Sequence, residues 1–498
     1  MKRLKVLISA HELSPYQGSE CAEGWNLVTR IARYHDVTVL YARGSQFSPD
    51  AYETAIRQYY TENENEFNIQ FIPVPQPRMT LCLAAINKRI SKNNSSIGLP
   101  FLYFIGYRLW QKSAYLTTKS LVETHDHASL REPFLIIHHL TQITFREPGY
   151  LWRLPVPFVW GPTGGTSTIP VSFYRHIGLR TAAYEAFRVI TNWLTLRFSN
   201  RINSAIRKSS LIYAFSAEDQ RLFQNKGAKR VEVMLDAGCQ SPVSEFQGFS
   251  SRFRGNDRKR FQSLKVIWVG QLIKRKALDI LLKAIAGDPD LMNKITLTIV
   301  GDGPLRKQYE QLAQKLSLTT TTNITTTTNI TTTTNITNTT ITTDNRQPTT
   351  DNRQPITFTG WLSRDQVFDY MRQSDVLVHT SYREATSNVI PEALSCGLPV
   401  ICHDISGMSI AITEECGIKI PLVSYNKSII GFRNALKLIT HNNHNNHNNH
   451  NNHNNHNIHN IHNPQPTPNL RSGALRRASE LSWDSMAERI SKDYNRIV

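Results

Sequence analysis

The chain has 498 residues, 40% of them apolar, and a formal net charge of +18. This length accommodates about two to four domains with cores of their own. The basic start, 1–5, precedes an apolar run too short for a signal peptide, and the longest apolar stretch, 97–110, contains Arg108 and falls short of a membrane span. Six scattered cysteines without a close Cys-x2-Cys pair argue against a zinc site or a disulfide framework and fit a reducing cytoplasm.

The first residues predict one unit of a doubly wound sheet. Apolar runs at 5–10 and 36–40 predict two strands. Between them lie a polar loop at 11–17, the tripeptide Gly18-Ser19-Glu20 and a helix that ends at about Tyr34. A strand, a glycine-containing loop, a helix and a strand in this order are typical of a Rossmann-like domain. The glycine loop either lets the backbone approach a ligand or forms a tight turn without one.

Two histidines end one of the strands that follow. Downstream, the sequence predicts strands at 67–74, 134–139 and 211–216, a helix at 97–121 and an irregular region at 76–96. His138 and His139 close the second of these strands. Ligands of doubly wound sheets collect outside the carboxyl ends of the strands. Each histidine is therefore either a site residue or a hydrogen-bonded structural one.

A basic and aromatic segment lies between residues 173 and 208. It contains Arg175, Arg180, Arg188, Arg197, Arg201, Arg207 and Lys208, opposed only by Glu185, together with Phe173, Tyr174, Phe187, Trp193, Leu194 and Phe198. This pattern indicates an amphipathic helix that either rests on an anionic membrane surface or packs on the core with a solvated basic face. Nucleic acid is not an expected partner, because no recognition motif accompanies the charge.

The strand and helix pattern restarts after residues 248–263, which we interpret as a linker. The second half is predicted to contain strands at 265–270, 295–300 and 356–361 and helices at 277–285 and 363–373. Gly301 and Gly303 follow the second of these strands, where they form either a phosphate loop or a simple strand-to-helix turn. A last amphipathic helix is predicted at 478–498.

Two tracts of low complexity interrupt this half. Residues 319–354 consist almost entirely of Thr, Asn and Ile with two Asp-Asn-Arg-Gln-Pro repeats, and His recurs every third residue within 441–470. Such compositions bury little apolar surface, so both tracts are predicted to be disordered insertions. The regularity of the histidines indicates repeat expansion, and no metal site is predicted.

The most informative stretch, residues 379–401, predicts a strand, a loop, a helix, a turn and a second strand. Glu384 in the loop and Glu392 in the helix are separated by seven residues, and Thr386 to Asn388 supply candidate N-caps. Gly397 follows the helix, where glycine is favoured. The N–H groups of such a helix start suit a phosphate, and the flanking carboxylates suit sugar hydroxyls.

This pair of glutamates, followed by Ala-Leu-Ser-Cys-Gly-Leu-Pro-Val-Ile, resembles the signature of retaining glycosyltransferases of family 4, also called glycosyl transferases group 1. Gly18-Ser19-Glu20, His138-His139 and Trp160-Gly161-Pro162 resemble a bacterial branch of that family. The resemblance implies the α/β GT-B fold, in which two Rossmann-like doubly wound domains face a central cleft. The implied divisions are an acceptor-side domain at 1–247, the linker at 248–263, a nucleotide-sugar domain at 264–477 and a helix at 478–498 that crosses back to the first domain.

The resemblance also implies roles for individual residues. The donor-binding set is Gly18, Ser19, Gly270, Arg275, Lys276, Gly301, Gly303, Glu384, Ser387, Asn388 and Glu392, and the catalytic set is Glu384, Lys276, His138 and His139. Glu384 would hold the sugar, Glu392 the ribose hydroxyls, and Lys276 the departing diphosphate.

Two positions depart from the family's pattern. Ser19 stands where the family has a second glycine, and Gln271 stands where it often has an arginine. Arg275 or Lys274 would then supply the missing charge. Since no Asp-x-Asp metal motif appears, the implied chemistry uses cations and helix N–H groups instead of a metal, and no cofactor is expected.

The resulting functional prediction is transfer of a sugar, with retention of configuration, from a nucleotide-diphosphate sugar to a sugar or lipid-linked acceptor. The resemblance suggests cell-surface polysaccharide or glycolipid synthesis by a cytoplasmic enzyme that is peripheral on the inner face of the plasma membrane. A nucleotide-sugar 2-epimerase of the same fold, which needs no acceptor, is one alternative. A noncatalytic basic protein that binds membrane surfaces is the other.

Overall fold

The computed structural model describes residues 1–18, 20–63, 67–90, 99–123, 133–241, 263–318, 356–448 and 470–498, with the backbone alone in 442–448. The strands are β1 (Lys5–Ser9), β2 (Asp36–Ala42), β3 (Ile69–Val74), β4 (Ile136–His139), β5 (Phe158–Thr163), β6 (Leu211–Ala214), β7 (Val231–Val233), β8 (Leu264–Val269), β9 (Ile295–Val300), β10 (Ile356–Gly360), β11 (Val376–His379), β12 (Val400–His403) and β13 (Gly417–Ile420).

The helices of the first half are α1 (Glu20–Ile31), α2 (Ala51–Glu62), α3 (Arg78–Ile90), α4 (Pro100–Glu123), α5 (Tyr174–Ile177), α6 (Leu179–Phe198), α7 (Asn200–Lys208) and α8 (Ala217–Asn225). Those of the second half are α9 (Leu278–Ala286), α10 (Pro289–Lys294), α11 (Arg306–Lys315), α12 (Arg364–Arg372), α13 (Val389–Ser395), α14 (Ser406–Ala411), α15 (Tyr425–Asn448), α16 (Leu470–Glu480) and α17 (Trp483–Ile497). Among the described residues, every helix is too short or too polar to cross a bilayer.

The strands form two parallel sheets, in the orders β3-β2-β1-β4-β5-β6-β7 and β10-β9-β8-β11-β12-β13. In the first sheet Val6 pairs with Val37 on one side and Ile136 on the other. In the second, Val266 lies between Leu297 and Val376. Parallel strands covered by helices on both faces read as continuous apolar runs, which is why the sequence predicted them. The predicted doubly wound α/β fold class is confirmed.

The connections fix where a ligand can bind. The chain order reverses between β1 and β4 in the first sheet and between β8 and β11 in the second. Loops that leave neighbouring strands at such a point diverge to opposite faces of the sheet and open a crevice at the carboxyl ends. The loops after β1, β8 and β11 begin at these two crevices.

The end of the chain packs against the first sheet. On α17, Tyr494 contributes to the core of that sheet, and Asp493 accepts hydrogen bonds from Tyr213 and Arg230 at 3.0 and 2.6 Å. The prediction of one helix from 478 was wrong, because Ser482 caps a new helix that begins at Trp483. A serine that bonds the N–H groups of a first helical turn separates α17 from α16.

Two other predictions of secondary structure were wrong. Residues 78–90 form α3 and not an irregular region; its buried residues are Thr80, Ala84 and Asn87, so its inner face lacks the apolar stripe that predicts a helix. The start of the His/Asn tract continues helix α15 as far as Asn448. The linker residues 248–262, the tract at 319–354 and the rest of the second tract at 449–469 lie outside the described residues.

Candidate functional site

Hydrogen bonds to backbone carbonyls of the loop after β8 join it to the loop after β11. Tyr382 N–H donates to Arg275 O at 2.9 Å, and the Thr380 hydroxyl donates to Lys276 O at 2.8 Å. The Trp268 indole N–H in turn donates to the Thr380 hydroxyl at 3.1 Å. These bonds hold the side chains of Arg275 and Lys276 beside the loop that carries Glu384.

Glu384 is the centre of this site. Its Oε1 lies 2.6 Å from Lys276 Nζ and 2.6 Å from Arg275 Nη1, and it accepts a hydrogen bond from the Ser381 hydroxyl at 3.0 Å. The side chains of Glu384 and Lys276 are each only 11% exposed. The structure thus brings together three of the predicted residues, and Arg275, not the exposed Lys274, supplies the second cation.

The charges of this cluster can be assigned from its surroundings. Burial by itself would raise the pKa of Glu384, but Lys276 and Arg275 outweigh it and lower that pKa to about 2. Burial lowers the pKa of Lys276, and the Glu384 carboxylate opposes that shift. With two cations and one anion, the cluster carries an excess positive charge at the carboxyl end of the second sheet. Such a charge suits an anionic ligand.

Glu392 has a different partner. It lies on α13, and its Oε1 accepts a hydrogen bond from Arg364 Nη2 at 3.0 Å. Burial raises the pKa of Glu392, and Arg364 opposes the shift. The Arg364 side chain is 61% exposed and that of Glu392 is 17% exposed, so the pair lies at the surface end of the site.

The predicted N-caps of α13 do not form. The helix begins after Asn388, whose side chain makes no capping hydrogen bond, and Ser387 has a left-handed backbone with φ of 71°. The Thr386 hydroxyl donates instead to Asp236 Oδ1, across the cleft. This long-range hydrogen bond competes with capping, and no local pattern indicates it.

The predicted glycines fall into two groups. A Cβ on Gly301 would lie 2.1 Å from Gly270 O, and one on Gly303 would lie 2.7 Å from Leu272 O, so the close approach of two loops explains both glycines without a ligand. A Cβ on Gly18 would meet no heavy atom within 4 Å among the described residues, so Gly18 faces open space. Ser19 lies outside the described residues.

His138 is buried and hydrogen-bonded at both ring nitrogens, which favours the structural alternative, and its catalytic role stays a prediction. Its Nδ1 accepts a hydrogen bond from the Tyr494 hydroxyl at 2.5 Å, and its Nε2 donates to Gly161 O at 2.7 Å. Burial lowers its pKa to about 3, which keeps the ring neutral. Both ring nitrogens therefore have hydrogen-bond partners within the protein. A histidine at the end of a strand can face a covering helix as readily as a cleft.

His139 points to the opposite face of the strand. Its Nε2 donates to Glu147 O at 3.2 Å, while its buried Nδ1 has no hydrogen-bond partner in the described part of the chain. Burial lowers its pKa to about 4. The role of His139 stays a prediction.

A group of carboxyl side chains on the first half was not predicted from the sequence. The group consists of Glu12, Glu20, Glu23 and Asp236, and burial raises the pKa of each of them, that of Asp236 to about 6. Tyr103 donates to Glu12 Oε1 at 2.9 Å, and Glu23 Oε1 is buried without a hydrogen-bond partner among the described residues. The sequence signal that could have indicated this group is the position of these residues, just after a strand or at the start of a helix.

The raised pKa of Asp236 predicts a change of stability with pH. Burial, and the nearby carboxylate of Glu384, let folded Asp236 keep a proton that the unfolded chain loses near pH 3.8. The folded state binds more protons between about pH 4 and 6, so the free energy of unfolding falls as pH rises through this window. Asp236→Asn should reduce that slope by at most about 1.4 kcal/mol per pH unit in urea unfolding.

Thr386→Val is the matched variant, and it should shift the pKa of Asp236 further upward instead of removing its titration. It removes the hydroxyl that stabilises ionised Asp236, so the fall in stability should extend to higher pH. The carboxyl groups of Glu20 and Glu23 face Asp236 and contribute to the wild-type slope in the same direction. An Asp236→Asn profile that superimposes on the wild type would contradict the assignment.

Comparison with known proteins adds to this geometry. Two family models, both described as glycosyl transferases group 1, match residues 251–343 and 339–436. The chain is 27% identical over 203 residues to TuaC of Bacillus subtilis, named as a teichuronic acid biosynthesis glycosyltransferase, covering 37% of this chain and 41% of TuaC. It is 26% identical over 163 residues to the Escherichia coli lipopolysaccharide glucosyltransferase WaaG, covering 32% and 34%. The chain thus spans less than half the length of these relatives.

One solved structure shows the same architecture over almost the whole chain. Sucrose-phosphate synthase from Thermosynechococcus elongatus superimposes with a TM-score of 0.57 at 14% identity and covers 99% of both chains. The predicted GT-B fold, with its two Rossmann-like units, is confirmed. The chain is thus similar to group 1 glycosyltransferases over the matched segments, and its likeness to the solved structure lies in the fold.

Proposed function

We propose that the protein transfers a sugar from a nucleotide-diphosphate sugar to an acceptor with retention of configuration. The observation that carries this proposal is the contact of Lys276 and Arg275 with Glu384 where β8 and β11 end. The excess positive charge suits a diphosphate, and the ionised carboxylate can accept hydrogen bonds from sugar hydroxyls.

The three side chains would act at two parts of the donor, the diphosphate and the sugar. Negative charge grows on the diphosphate as the bond to the sugar breaks, so cations at Lys276 and Arg275 stabilise the transition state more than the ground state. Because Lys276 is largely removed from water, its charge acts through a low dielectric. Glu384 would orient the sugar and, through its pairing, hold Lys276 in place.

Glu392 would accept hydrogen bonds from the ribose hydroxyls, as the resemblance implies. In the structure Arg364 occupies this carboxylate. Because Arg364 is exposed, its side chain can move to solvent at little cost when a ribose binds. The proposed donor site therefore extends from Arg275 to Glu392.

The acceptor is proposed to be a sugar or a lipid-linked sugar at an anionic membrane surface. The names of TuaC and WaaG refer to teichuronic acid and lipopolysaccharide, which are the support for synthesis of a cell-surface glycan. We further propose that residues 1–247 form the acceptor side, that residues 264–477 form the donor side, and that the enzyme works in the cytoplasm or at the inner face of the plasma membrane.

A screen of nucleotide sugars by thermal shift tests the proposal. A donor at one hundred times its Kd should stabilise the protein by about 2.7 kcal/mol. Incubation of that donor with candidate acceptors, followed by NMR of the product's anomeric proton, should show retention. Conversion of the donor sugar without an acceptor would indicate an epimerase. A lack of response to every nucleotide sugar would contradict the proposal.

Glu392→Ala should weaken binding of the donor found in the screen. A carboxylate that accepts a hydrogen bond from a hydroxyl contributes about 1.5–3 kcal/mol, which is a loss of roughly ten- to more than a hundredfold in affinity. Isothermal titration calorimetry measures it. The matched variant Arg364→Ala removes the competing partner and should leave the affinity equal or higher. Unchanged affinity in Glu392→Ala would remove this residue from the site.

Lys276→Ala should lower kcat by a larger factor than it raises the KM of the donor. The reason is that the lysine meets a charge that grows only as the sugar departs. Steady-state kinetics against Lys274→Ala, which removes an equal charge from an exposed neighbour, provides the comparison. A rise in KM alone would make Lys276 a binding residue without a special role in the transition state.

A further inference from the structure

One segment of the first half lies directly against the second half, including the loop after β11. We call residues 169–198, which include α5 and α6, the arm. Phe173 packs on Tyr382 with ring centroids 5.0 Å apart, and His176 stacks on Tyr425 at 3.9 Å. The Ser172 hydroxyl donates to Val423 O at 2.7 Å. The inner side of the arm is thereby fixed to the second half.

The outer side of the arm is apolar, which reverses the usual arrangement of an amphipathic helix. The buried residues of α6 are Ala182, Glu185 and Asn192. Its exposed face presents Leu179, Phe187, Ile190, Trp193, Leu194 and Phe198, which are 42–88% exposed. A helix with its polar residues inside and its aromatic residues outside is adapted to apolar surroundings on its outer face.

The charges of the arm indicate what kind of apolar surroundings its outer face would contact. Arg175, Arg180 and Arg197 are exposed beside the aromatic residues, and the Arg197 guanidinium lies 5.5 Å from the ring of Phe198. The acidic residue of the arm, Glu185, is buried. Cations interleaved with exposed aromatic side chains match an anionic lipid surface, where the rings enter the interface and the cations meet the headgroups.

Glu185 also connects the arm to the candidate site. Its carboxylate accepts hydrogen bonds from Arg188 at 2.6 Å and from the Ile169 N–H at 3.1 Å, and it pairs with Arg383 of the second half. Arg383 directly precedes Glu384 in the loop after β11. A displacement of α6 would therefore move or release Arg383, the residue next to Glu384.

We propose that the outer face of the arm docks on an anionic lipid bilayer, and that the contact between Glu185 and Arg383 transmits this docking to the loop 380–388. The role of the transmission in catalysis rests on the proposed function. The docking itself does not, because it needs no sugar donor. Docking through α6 would bring the second-half residues that the arm contacts close to the lipid surface, where a lipid-linked acceptor would lie.

Flotation with vesicles tests the docking surface. Wild-type protein should float with vesicles that contain phosphatidylglycerol and not with vesicles of phosphatidylcholine alone. The double variant Phe187→Ser, Trp193→Ser should lower the partition coefficient about tenfold or more. The matched control is Trp361→Ser, which removes a tryptophan 66% exposed on the second half, compared with 61% for Trp193, and should float as the wild type does.

Two outcomes of this experiment would overturn the docking surface. One is equal flotation of the double variant and the wild type. The other is a wild type that sediments as a dimer in analytical ultracentrifugation while the double variant sediments as a monomer, since the face would then be covered by a second copy of the chain.

Hydrogen–deuterium exchange tests the transmission. Vesicles should change exchange in 380–388 of the wild type, whereas Glu185→Gln should float equally well and show at least about a twofold smaller change. Glu415→Gln, which breaks an exposed pair with Arg476, is the matched control and should respond as the wild type does. If Glu185→Gln does not fold, Arg383→Gln interrupts the same contact from the other side. A full response in the variant that folds would overturn the transmission.

Failure of the proposed function gives a different result. In that case no nucleotide sugar stabilises the protein, while flotation and exchange keep their expected outcomes.

Discussion

The structure depends on one carboxylate, Glu384, which two cations of a separate loop hold in a largely buried position. If either side of such a cluster is lost, an uncompensated charge is left away from water, which typically costs about 3–5 kcal/mol. Hydrogen bonds from the Thr380 hydroxyl and the Tyr382 N–H to the backbone carbonyls of Lys276 and Arg275 hold the two loops in this geometry. The same loop continues into Arg383 and Thr386, which contact Glu185 and Asp236 of the first half.

The two halves contribute different titratable groups near the contacts that join them. The second half contributes the positive cluster at Arg275 and Lys276, whereas the first half contributes carboxyl side chains at Glu12, Glu20 and Asp236. Because burial raises the pKa of these carboxyl groups, they can hold a proton and donate hydrogen bonds as well as accept them. The positive cluster therefore suits an anion, whereas the carboxyl groups suit uncharged polar groups.

The sequence predicted those features that local pattern determines. Buried parallel strands are apolar runs, and the spacing of Glu384 and Glu392 lies within one strand–loop–helix unit, so both were visible. Helix α3 was missed because its inner face carries Thr80 and Asn87. The pairs Glu185–Arg383 and Asp236–Thr386 join residues about 150–200 positions apart, and His138 meets a helix more than 300 residues later. No periodicity encodes such contacts, so only the folded chain reveals them.

The return of α17 to the first sheet has a consequence for biosynthesis. Its residues Trp483, Ile490 and Tyr494 belong to the core of that sheet. The core of the second half consists of one cluster between Ile169 and Ile439 and another that includes Ala474 and Ala478 of α16 and the adjacent Leu481. Since the ribosome delivers the chain from its N-terminus, the first sheet emerges long before α17 and lacks part of its core until that helix follows. The first sheet is therefore made before the second, but its core is completed after that of the second, by a helix that follows α16.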